Sequence, residues 1–279
     1  MSPHTIIELY GVLVGGISAT GRDELARVLG GRRFVTPADV AAELSVDSTA
    51  ATQRLARWAR DGWLRRVRRG LYIGVPVDAS NPGAWSDDAL VIAARVWDPC
   101  YFTGWTAARH WALTEQVFRT TVLKSSARVR EARPNLLDHD YMVVHTDPEA
   151  LTWGLVSEWN DGERLQFANA VRTVVDILDD PQLGGGMRHS AEVLASFLEE
   201  HDSALLIDAA DRLDNGAVFK RLGYLAEQLG LDDNVLVSAC LERLTSGISA
   251  LDPAGPPGGQ RVSRWCLRVN ATIARDGAS

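Results

Sequence analysis

The apolar residues near the start of the chain recur at the spacing of a helix. Leu25, Val28 and Leu29 would share one helical face, so residues 21–29 are predicted as a first helix. Residues 33–35 then favour a short strand.

The next two segments predict a pair of helices joined by a tight turn. Thr36 is a favourable N-cap residue and Pro37 suits the first helical position, so a helix is expected to run to about Leu44. Residues 45–47 form a three-residue turn, after which residues 48–61 form another helix. Two helices joined by so short a turn are typical of a helix-turn-helix.

The third predicted helix has two chemically different faces. At about 100° per residue, its packing face collects Ala51, Leu55, Trp58, Ala59 and Gly62. The opposite face presents Thr49, Gln53, Arg57 and Arg60, with Arg54 on one flank. Such hydroxyl, amide and guanidinium groups read base edges and hold phosphates. An ordinary amphipathic helix with a solvated basic face is the alternative interpretation.

A basic hairpin directly after this helix favours the DNA-binding interpretation. Residues 63–73 read as a strand, a tight turn at Gly70 and a second strand. Its apolar anchors are Leu64, Val67, Leu71 and Ile73, and its cations are Arg65, Arg66, Arg68 and Arg69. A wing in this place can reach phosphates or the minor groove beside the site. The predicted DNA-binding residues are Ser48, Thr49, Thr52, Gln53, Arg54, Arg57, Arg60, Arg65, Arg66, Arg68 and Arg69.

The distribution of charge supports the same interpretation, although the chain is acidic as a whole. The net charge is −7, yet residues 48–72 hold seven arginines against Asp61, which leaves +6 there and −13 elsewhere. A small basic module is therefore attached to an acidic body.

The order of several segments resembles the AbiEi family of antitoxins from bacterial abortive-infection toxin–antitoxin pairs. The resemblance rests on Leu55–Trp58 leading to Arg69–Tyr72, Asp88–Arg95, Tyr101–Gln116, Ala170–Asp179, and Arg221–Leu225 with the closing Ser263–Asn270. These segments lie within residues 37–270, and Tyr101–Gln116 is the most specific of them. None is a catalytic motif.

The resemblance implies a type IV phage-defence antitoxin that also regulates its own transcription. Its winged helix would bind inverted repeats of operator DNA upstream of its own operon and repress transcription. Its C-terminal domain would neutralise a nucleotidyltransferase-type toxin, without requiring a stable complex. The protein would be a monomer in solution or a weak dimer.

The remainder of the chain predicts a larger, mostly helical domain, so the fold class is α+β. The predicted domains are residues 1–80, a winged helix-turn-helix with an N-terminal arm, and residues 81–279, with a break at Asn81–Gly83. Helices are predicted at residues 87–97, 106–113, 165–178, 188–200, 203–212 and 217–229. Short strands are predicted at residues 118–123 and 141–145, a loop at 246–259, and a terminal strand or extended tail at 261–269.

No catalytic or metal-binding motif stands out in this body, so no catalytic residue, metal or cofactor is predicted. Gly184–Gly186 is interpreted as a flexible linker, Asp138–Asp140 as a surface turn, and His110 as a buried or half-buried structural histidine. Arg128, Arg130 and Arg133 form a second basic cluster. It is either a solvated loop or a further contact for nucleic acid or toxin.

Three features of the sequence favour a location in the cytoplasm. Residues 6–17 are apolar, but only His4 precedes them and Glu8 lies among them, so they are interpreted as an arm rather than a signal peptide. No apolar run is long enough to span a membrane. Three widely spaced cysteines make no disulfide framework, which favours a reducing compartment.

Two other classes of function remain open. A ligand-sensing repressor would show a sizeable apolar pocket with convergent polar groups. A DNA-directed nuclease would need clustered carboxylates and a lysine, but Lys124 and Lys220 are the only lysines and neither lies in a nuclease motif.

Overall fold

The chain divides into two compact units. The computed structural model describes residues 18–76, 79, 81, 85–160, 162–231 and 234–273. The first unit comprises Met1–Asp88 with Asn135–His139, and the second comprises Ala89–Pro134 with Asp140–Ser279. The arm predicted at residues 6–17 lies outside the described residues, as do Pro82 and Gly83 of the predicted break.

The first unit is a small α+β module. Its elements in chain order are α1 (Ala19–Leu29), β1 (Phe34–Val35), α2 (Pro37–Leu44), α3 (Ser48–Arg60), β2 (Leu64–Arg68) and β3 (Leu71–Gly74). The strands form an antiparallel sheet in the order β1-β3-β2. The three helices and the sheet share one core, built from Leu25, Val28, Val35, Val40, Ala51, Leu55, Trp58, Leu64 and Tyr72. Helix-turn-helix followed by a hairpin is the winged-helix arrangement that the sequence predicts.

The second unit is larger and combines a mixed sheet with a set of helices. Its first elements are α4 (Ala89–Val96), β4 (Cys100–Phe102), α5 (Gly104–His110) and β5 (Thr121–Ser125). The short strand β6 (Asn135–Leu136) is counted with the first unit, and β7 (His139–His145), β8 (Leu155–Asn160) and β9 (Glu163–Ala168) follow. In this unit the strands lie in the order β7-β5-β4-β9-β8. Pairs β7-β5 and β4-β9 are parallel, and pairs β5-β4 and β9-β8 are antiparallel.

Helices make up most of the remaining chain. They are α6 (Ala170–Asp179), α7 (Met187–Glu200), α8 (Ala204–Leu213), α9 (Gly216–Gln228) and α10 (Asn234–Glu242). A small sheet follows, with the order β10-β12-β11, made of β10 (Ser249–Ala250), β11 (Gln260–Val262) and β12 (Leu267–Val269). Helix α6 is buried along most of its length and contributes Val174, Val175, Ile177 and Leu178 to a core shared with α7, α8 and α9. The predicted α+β class is therefore confirmed.

Two segments that carry the family resemblance meet in this core. Arg221 is buried and donates hydrogen bonds to the carbonyls of Leu178 and Leu251, at 2.7 and 3.0 Å, which joins the end of α6 to the chain after β10. A Cβ on Gly223 would lie 2.1 Å from the ring of Trp265, which is fully buried. These motif residues therefore serve packing, because only glycine lets the indole approach α9 so closely.

One predicted helix is partly wrong. Residues 165–178 were expected to form a single helix, but residues up to Ala168 belong to strand β9 and α6 begins at Ala170. The side chain of Asn169 accepts a hydrogen bond from the amide of Arg172 at 2.9 Å and so caps the helix there. The preceding strand buries Leu165 and Phe167 on one face. A short apolar run of this kind is equally compatible with a strand and with a buried helix, so the sequence does not distinguish them.

Several other elements also differ from the prediction. The structure adds strands β4, β6 and β8 and helix α10, which the sequence did not predict, and strand β10 lies within the predicted loop at residues 246–259. The strand alternative predicted for residues 261–269 is present as the two strands β11 and β12. Strand β5 begins at Thr121 rather than at residue 118.

The structure also decides the interpretation of two single features. Gly184–Gly186 is a packed turn rather than a flexible linker, because a Cβ on Gly184 would lie 2.6 Å from Ile177. The His110 side chain is 26% exposed, which agrees with the half-buried alternative, and its ring stacks on Phe167 with centroids 4.1 Å apart.

Candidate nucleic-acid interface

Local hydrogen bonds fix both helices of the helix-turn-helix. Thr36 and Asp39 form a capping box, in which the Thr36 amide donates to the Asp39 carboxylate at 2.7 Å and the Asp39 amide to the Thr36 hydroxyl at 3.3 Å. Ser45 ends α2 in the left-handed region with φ of 52°. Asp47 then caps α3 by accepting from the Ala50 amide at 2.8 Å. The turn between the helices is therefore residues 45–47, as the sequence predicts.

The exposed face of α3 carries the predicted base-reading groups. Its buried residues are Ala51, Leu55 and Trp58. Its exposed residues include Ser48, Thr49, Thr52, Gln53, Arg57 and Arg60. The side chains of Arg57 and Arg60 are 68% and 76% exposed, so both project into solvent. One continuous face thus offers the hydroxyl, amide and guanidinium groups that DNA recognition uses.

Ion pairs divide the arginines of α3 into two kinds. Arg54 is partly buried and its Nε lies 3.4 Å from a carboxylate oxygen of Glu24 on α1. Arg57 and Arg60 each lie 3.7 Å from Asp61. Exposed pairs of this length contribute little free energy, so Arg57 and Arg60 can exchange Asp61 for a phosphate or base at small cost. Arg54 instead holds α1 against α3.

A groove beside α3 adds residues that the sequence analysis did not select. A cavity of about 410 Å³ lies between the beginning of α1 and α3, and Gln53 and Arg57 are among its lining residues. Ser18 and Thr20 line its other side. No sequence signal pointed to them, because their proximity to α3 depends on how α1 packs.

The wing presents three of its four arginines to solvent. Arg68 pairs with Leu71 across a two-residue turn made by Arg69 and Gly70. Gly70 has φ of 77° with open space around it, as a tight turn requires. Arg66, Arg68 and Arg69 are exposed, whereas Leu64 and Val67 on the same strand are buried. The hairpin is therefore anchored by apolar residues and basic at its tip.

Arg65 differs from the other wing arginines. Its side chain is only 20% exposed. It donates to the carbonyl of Trp85 at 2.6 Å and contacts the carboxylate of Asp138 at 3.4 Å. The surroundings explain the difference, because Trp85 and Asp138 lie against Arg65, whereas Arg66 is exposed. Arg65 is thus engaged within its own unit.

The second basic cluster and the aspartate–histidine turn are also placed by the structure. Arg128, Arg130 and Arg133 are exposed in the loop after β5, in the second unit. Asp138 contacts Arg65, and Nε2 of His139 lies 2.9 Å from the carbonyl oxygen of Asp87. Among the described residues, no group of three or more histidine, cysteine, aspartate or glutamate side chains is placed to hold a metal ion. None of the described helices is long and apolar enough to cross a membrane.

Residues 23–73 match the family described as "Transcriptional regulator, AbiEi antitoxin". The match begins in α1 and ends in β3, so it covers the helix-turn-helix and the wing. The resemblance to AbiEi antitoxins is therefore confirmed for this segment. No curated protein matches the chain.

A likeness to a solved structure extends over both units. The crystal structure of the RV2827C protein from Mycobacterium tuberculosis is similar, with a TM-score of 0.62 and 17% sequence identity. The similarity covers 89% of this chain and 90% of the other. At this identity it shows a shared fold, beyond the AbiEi segment, and nothing about activity.

Proposed function

We propose that this protein is a DNA-binding antitoxin that represses its own transcription. The observation that carries the first half is the exposed face of α3, with Thr49, Gln53 and Arg57, directly followed by a wing with three exposed arginines. The AbiEi match over residues 23–73 covers this module and supports the same conclusion. The proposed DNA site consists of inverted repeats upstream of its own operon, which two copies of the chain would occupy. In solution the protein would be a monomer or a weak dimer.

Within this proposal the predicted residues take different parts. Gln53 and Arg57 read base edges, with Thr49 beside them, because amide and guanidinium groups make bidentate contacts with adenine and guanine. Arg66, Arg68 and Arg69 hold phosphates. Arg54 and Arg65 act through the structure of the unit, since Glu24, Trp85 and Asp138 already engage them.

The first prediction separates base reading from folding. Arg57→Ala and Gln53→Ala are each expected to lower discrimination between the upstream operator and a scrambled duplex by about 1–3 kcal/mol, or roughly 5- to 150-fold. Fluorescence anisotropy with both duplexes at about 0.15 M salt measures the ratio of the two dissociation constants.

Arg188→Ala is a matched control for this measurement. Arg188 lies 3.7 Å from Glu192 at an i,i+4 spacing, as Arg57 does from Asp61, but it is on α7 in the second unit. Arg188→Ala should discriminate between the operator and the scrambled duplex as the wild type does. Wild-type discrimination by both α3 variants would disprove the recognition role of α3.

The second half of the proposal is neutralisation of a nucleotidyltransferase-type toxin by the second unit. It rests on the AbiEi match and on the resemblance, which reaches Tyr101–Gln116 and Arg221–Leu225 in the second unit. The second unit, residues 89–134 and 140–279, holds 18 basic and 25 acidic residues, a net charge of −7 that would suit a basic partner.

Co-expression tests this half independently of DNA binding. The toxin candidate is the product of a neighbouring gene, expressed from a separate inducible promoter. Both the wild-type chain and Arg57→Ala are expected to restore growth, because α3 serves the operator and not the toxin. Growth arrest that persists with the wild-type chain would contradict the antitoxin role while leaving the repressor role standing.

We propose a binding protein rather than an enzyme, acting in the cytoplasm. The two lysines that a nuclease would need are buried: Lys124 donates to Asp176 at 3.0 Å and Lys220 to the carbonyl of Gly247 at 2.9 Å. Burial raises the pKa of the Cys100 thiol to about 12, so it is not a nucleophile. All three cysteines are free thiols, which suits a reducing compartment.

A further inference from the structure

A cavity in the second unit lies on the segment that resembles AbiEi antitoxins most specifically. It has a volume of about 320 Å³ and is lined by Trp105, Thr106, Arg109 and His110 from α5, with Phe118 and Phe167. This volume is at the lower end of the range for small-ligand sites, which is roughly 300–1,000 Å³. The operator-binding role assigned to the first unit makes no use of it.

Two pairs of stacked rings form the apolar walls of this cavity. Trp105 and Phe118 stack with centroids 4.6 Å apart and planes 16° apart. His110 and Phe167 stack with centroids 4.1 Å apart and planes 12° apart.

These walls are held in place before any ligand arrives. The indole of Trp105 donates to the carbonyl of Thr120 at 2.6 Å, and Phe167 is only 2% exposed. A ligand entering between them would therefore lose little free energy to ordering of the protein.

The polar groups of the cavity are few and of complementary kinds. Arg109 is exposed, and no hydrogen bond or ion pair engages it within the described part of the chain. The hydroxyl of Thr106 accepts from the Val122 amide at 2.8 Å, which leaves its proton available to a ligand. His110 is tied to Glu158 at 2.9 Å. A cation and a hydroxyl donor thus lie beside flat aromatic walls.

A nucleotide combines the features that this cavity can hold. A planar base packs on aromatic walls whatever its identity, because every base has a π face. A phosphate pairs with a guanidinium through charge-assisted hydrogen bonds. An uncharged aromatic molecule would leave Arg109 unused, and a simple anion would leave the ring walls unused.

We propose that the second unit binds a nucleoside 5′-phosphate in this cavity. The base lies against the accessible rings of Phe118 and His110, which are backed by Trp105 and Phe167, and the phosphate is held by Arg109. Free mononucleotide and the terminal nucleotide of a single-stranded RNA present the same chemistry. The site is independent of the operator-binding face on α3, so either proposal can fail alone.

Titration calorimetry on the full-length protein tests the proposal. The four ribonucleoside 5′-monophosphates, adenosine and a five-nucleotide RNA are each titrated up to about 1 mM. At least one monophosphate should bind, and adenosine should bind at least about tenfold more weakly than AMP because it lacks the phosphate. Tighter binding of the RNA than of any monophosphate would identify an RNA end as the source of the ligand.

Variants locate the binding. Arg109→Ala should weaken nucleotide binding at least about tenfold, and Phe118→Leu about tenfold, because leucine fills the space without a π face. Arg130→Ala removes an exposed arginine that does not line the cavity, and Arg57→Ala removes one from α3. Both controls should bind as the wild type does.

Three results would overturn the proposal. They are no heat of binding with any nucleotide, undiminished binding by Arg109→Ala, and loss of binding in Arg57→Ala. The last would place the nucleotide on the operator-binding face. Thermal unfolding of each variant confirms that it is folded before titration.

Discussion

Asp176→Ala is expected to lower the free energy of unfolding by about 3–5 kcal/mol, because it leaves buried cations without their carboxylate. Asp176 is fully buried on α6. Its carboxylate accepts from the Thr103 hydroxyl at 2.7 Å, the Tyr101 phenol at 3.2 Å and the Lys124 ammonium at 3.0 Å. Nε of Arg172 lies 3.7 Å away.

The Tyr101 phenol beside Asp176 keeps the proton that it donates to the carboxylate. Burial, and next the Asp176 carboxylate, raise the pKa of Tyr101 well above its ordinary value, so its phenol remains a donor. Arg172 donates to that phenol oxygen at 2.7 Å and stacks on the ring of Trp153 at 4.0 Å. Removing the carboxylate therefore unbalances a connected set of polar groups rather than one pair.

Urea unfolding followed by circular dichroism measures the effect. Asp211→Ala is the control, since Asp211 is 47% exposed in its pair with Arg243, and water replaces the lost contact. We expect the control to unfold at the wild-type urea concentration. The double variant Asp176→Ala/Lys124→Met should recover part of the loss, because an apolar side chain needs no partner. Wild-type stability of Asp176→Ala would show that the network contributes nothing.

Replacing Arg66, Arg68 and Arg69 together by alanine is expected to reduce operator affinity about 100-fold at 0.15 M salt. Each phosphate contact releases condensed counterions, so removing three contacts should also lower the slope of log K against log salt by about 3. All three side chains are exposed on the wing, and none of the wing's apolar anchors is changed. Anisotropy titrations between about 0.05 and 0.3 M salt give both quantities.

The second basic cluster provides a control of equal charge. The control variant replaces Arg128, Arg130 and Arg133 with alanine. It changes the net charge of the chain by the same amount, but its substitutions lie in the second unit. If contact rather than overall charge matters, this variant should keep the wild-type salt slope. An unchanged slope in the wing variant would refute the role of the wing, and an equal fall in both variants would mean that overall charge, and not contact by the wing, sets the slope.

The residues that form the helix-turn-helix could be predicted because their determinants are local. The capping box joins Thr36 and Asp39, and Asp47 caps the amide of Ala50 three residues away. The two faces of α3 follow from helical periodicity alone, and Gly70 marks the wing turn. Each of these signals lies within a few residues of the element that it specifies, so it can be recognised in the sequence without knowledge of the fold.

Elsewhere, local patterns failed where the deciding contact was distant. Leu165–Ala168 reads equally well as helix or strand, and the pairing of Phe167 with Phe102 on the distant strand β4 decides for strand. The partial burial of the His110 ring depends on Phe167, its stacking partner far along the chain. The cavity likewise combines Trp105 with Phe167, which no spacing rule connects.

The sequence by itself determined the order of helices and wing in the first unit, the basic face of α3 and the charge contrast with the rest of the chain. Only the tertiary structure decided which arginines are available for DNA. Arg65 and Arg66 are neighbours with the same side chain, yet Asp138, which contacts Arg65, lies 73 positions away. A helix cap is set by adjacent residues, whereas burial of a charge depends on what the folded chain brings against it.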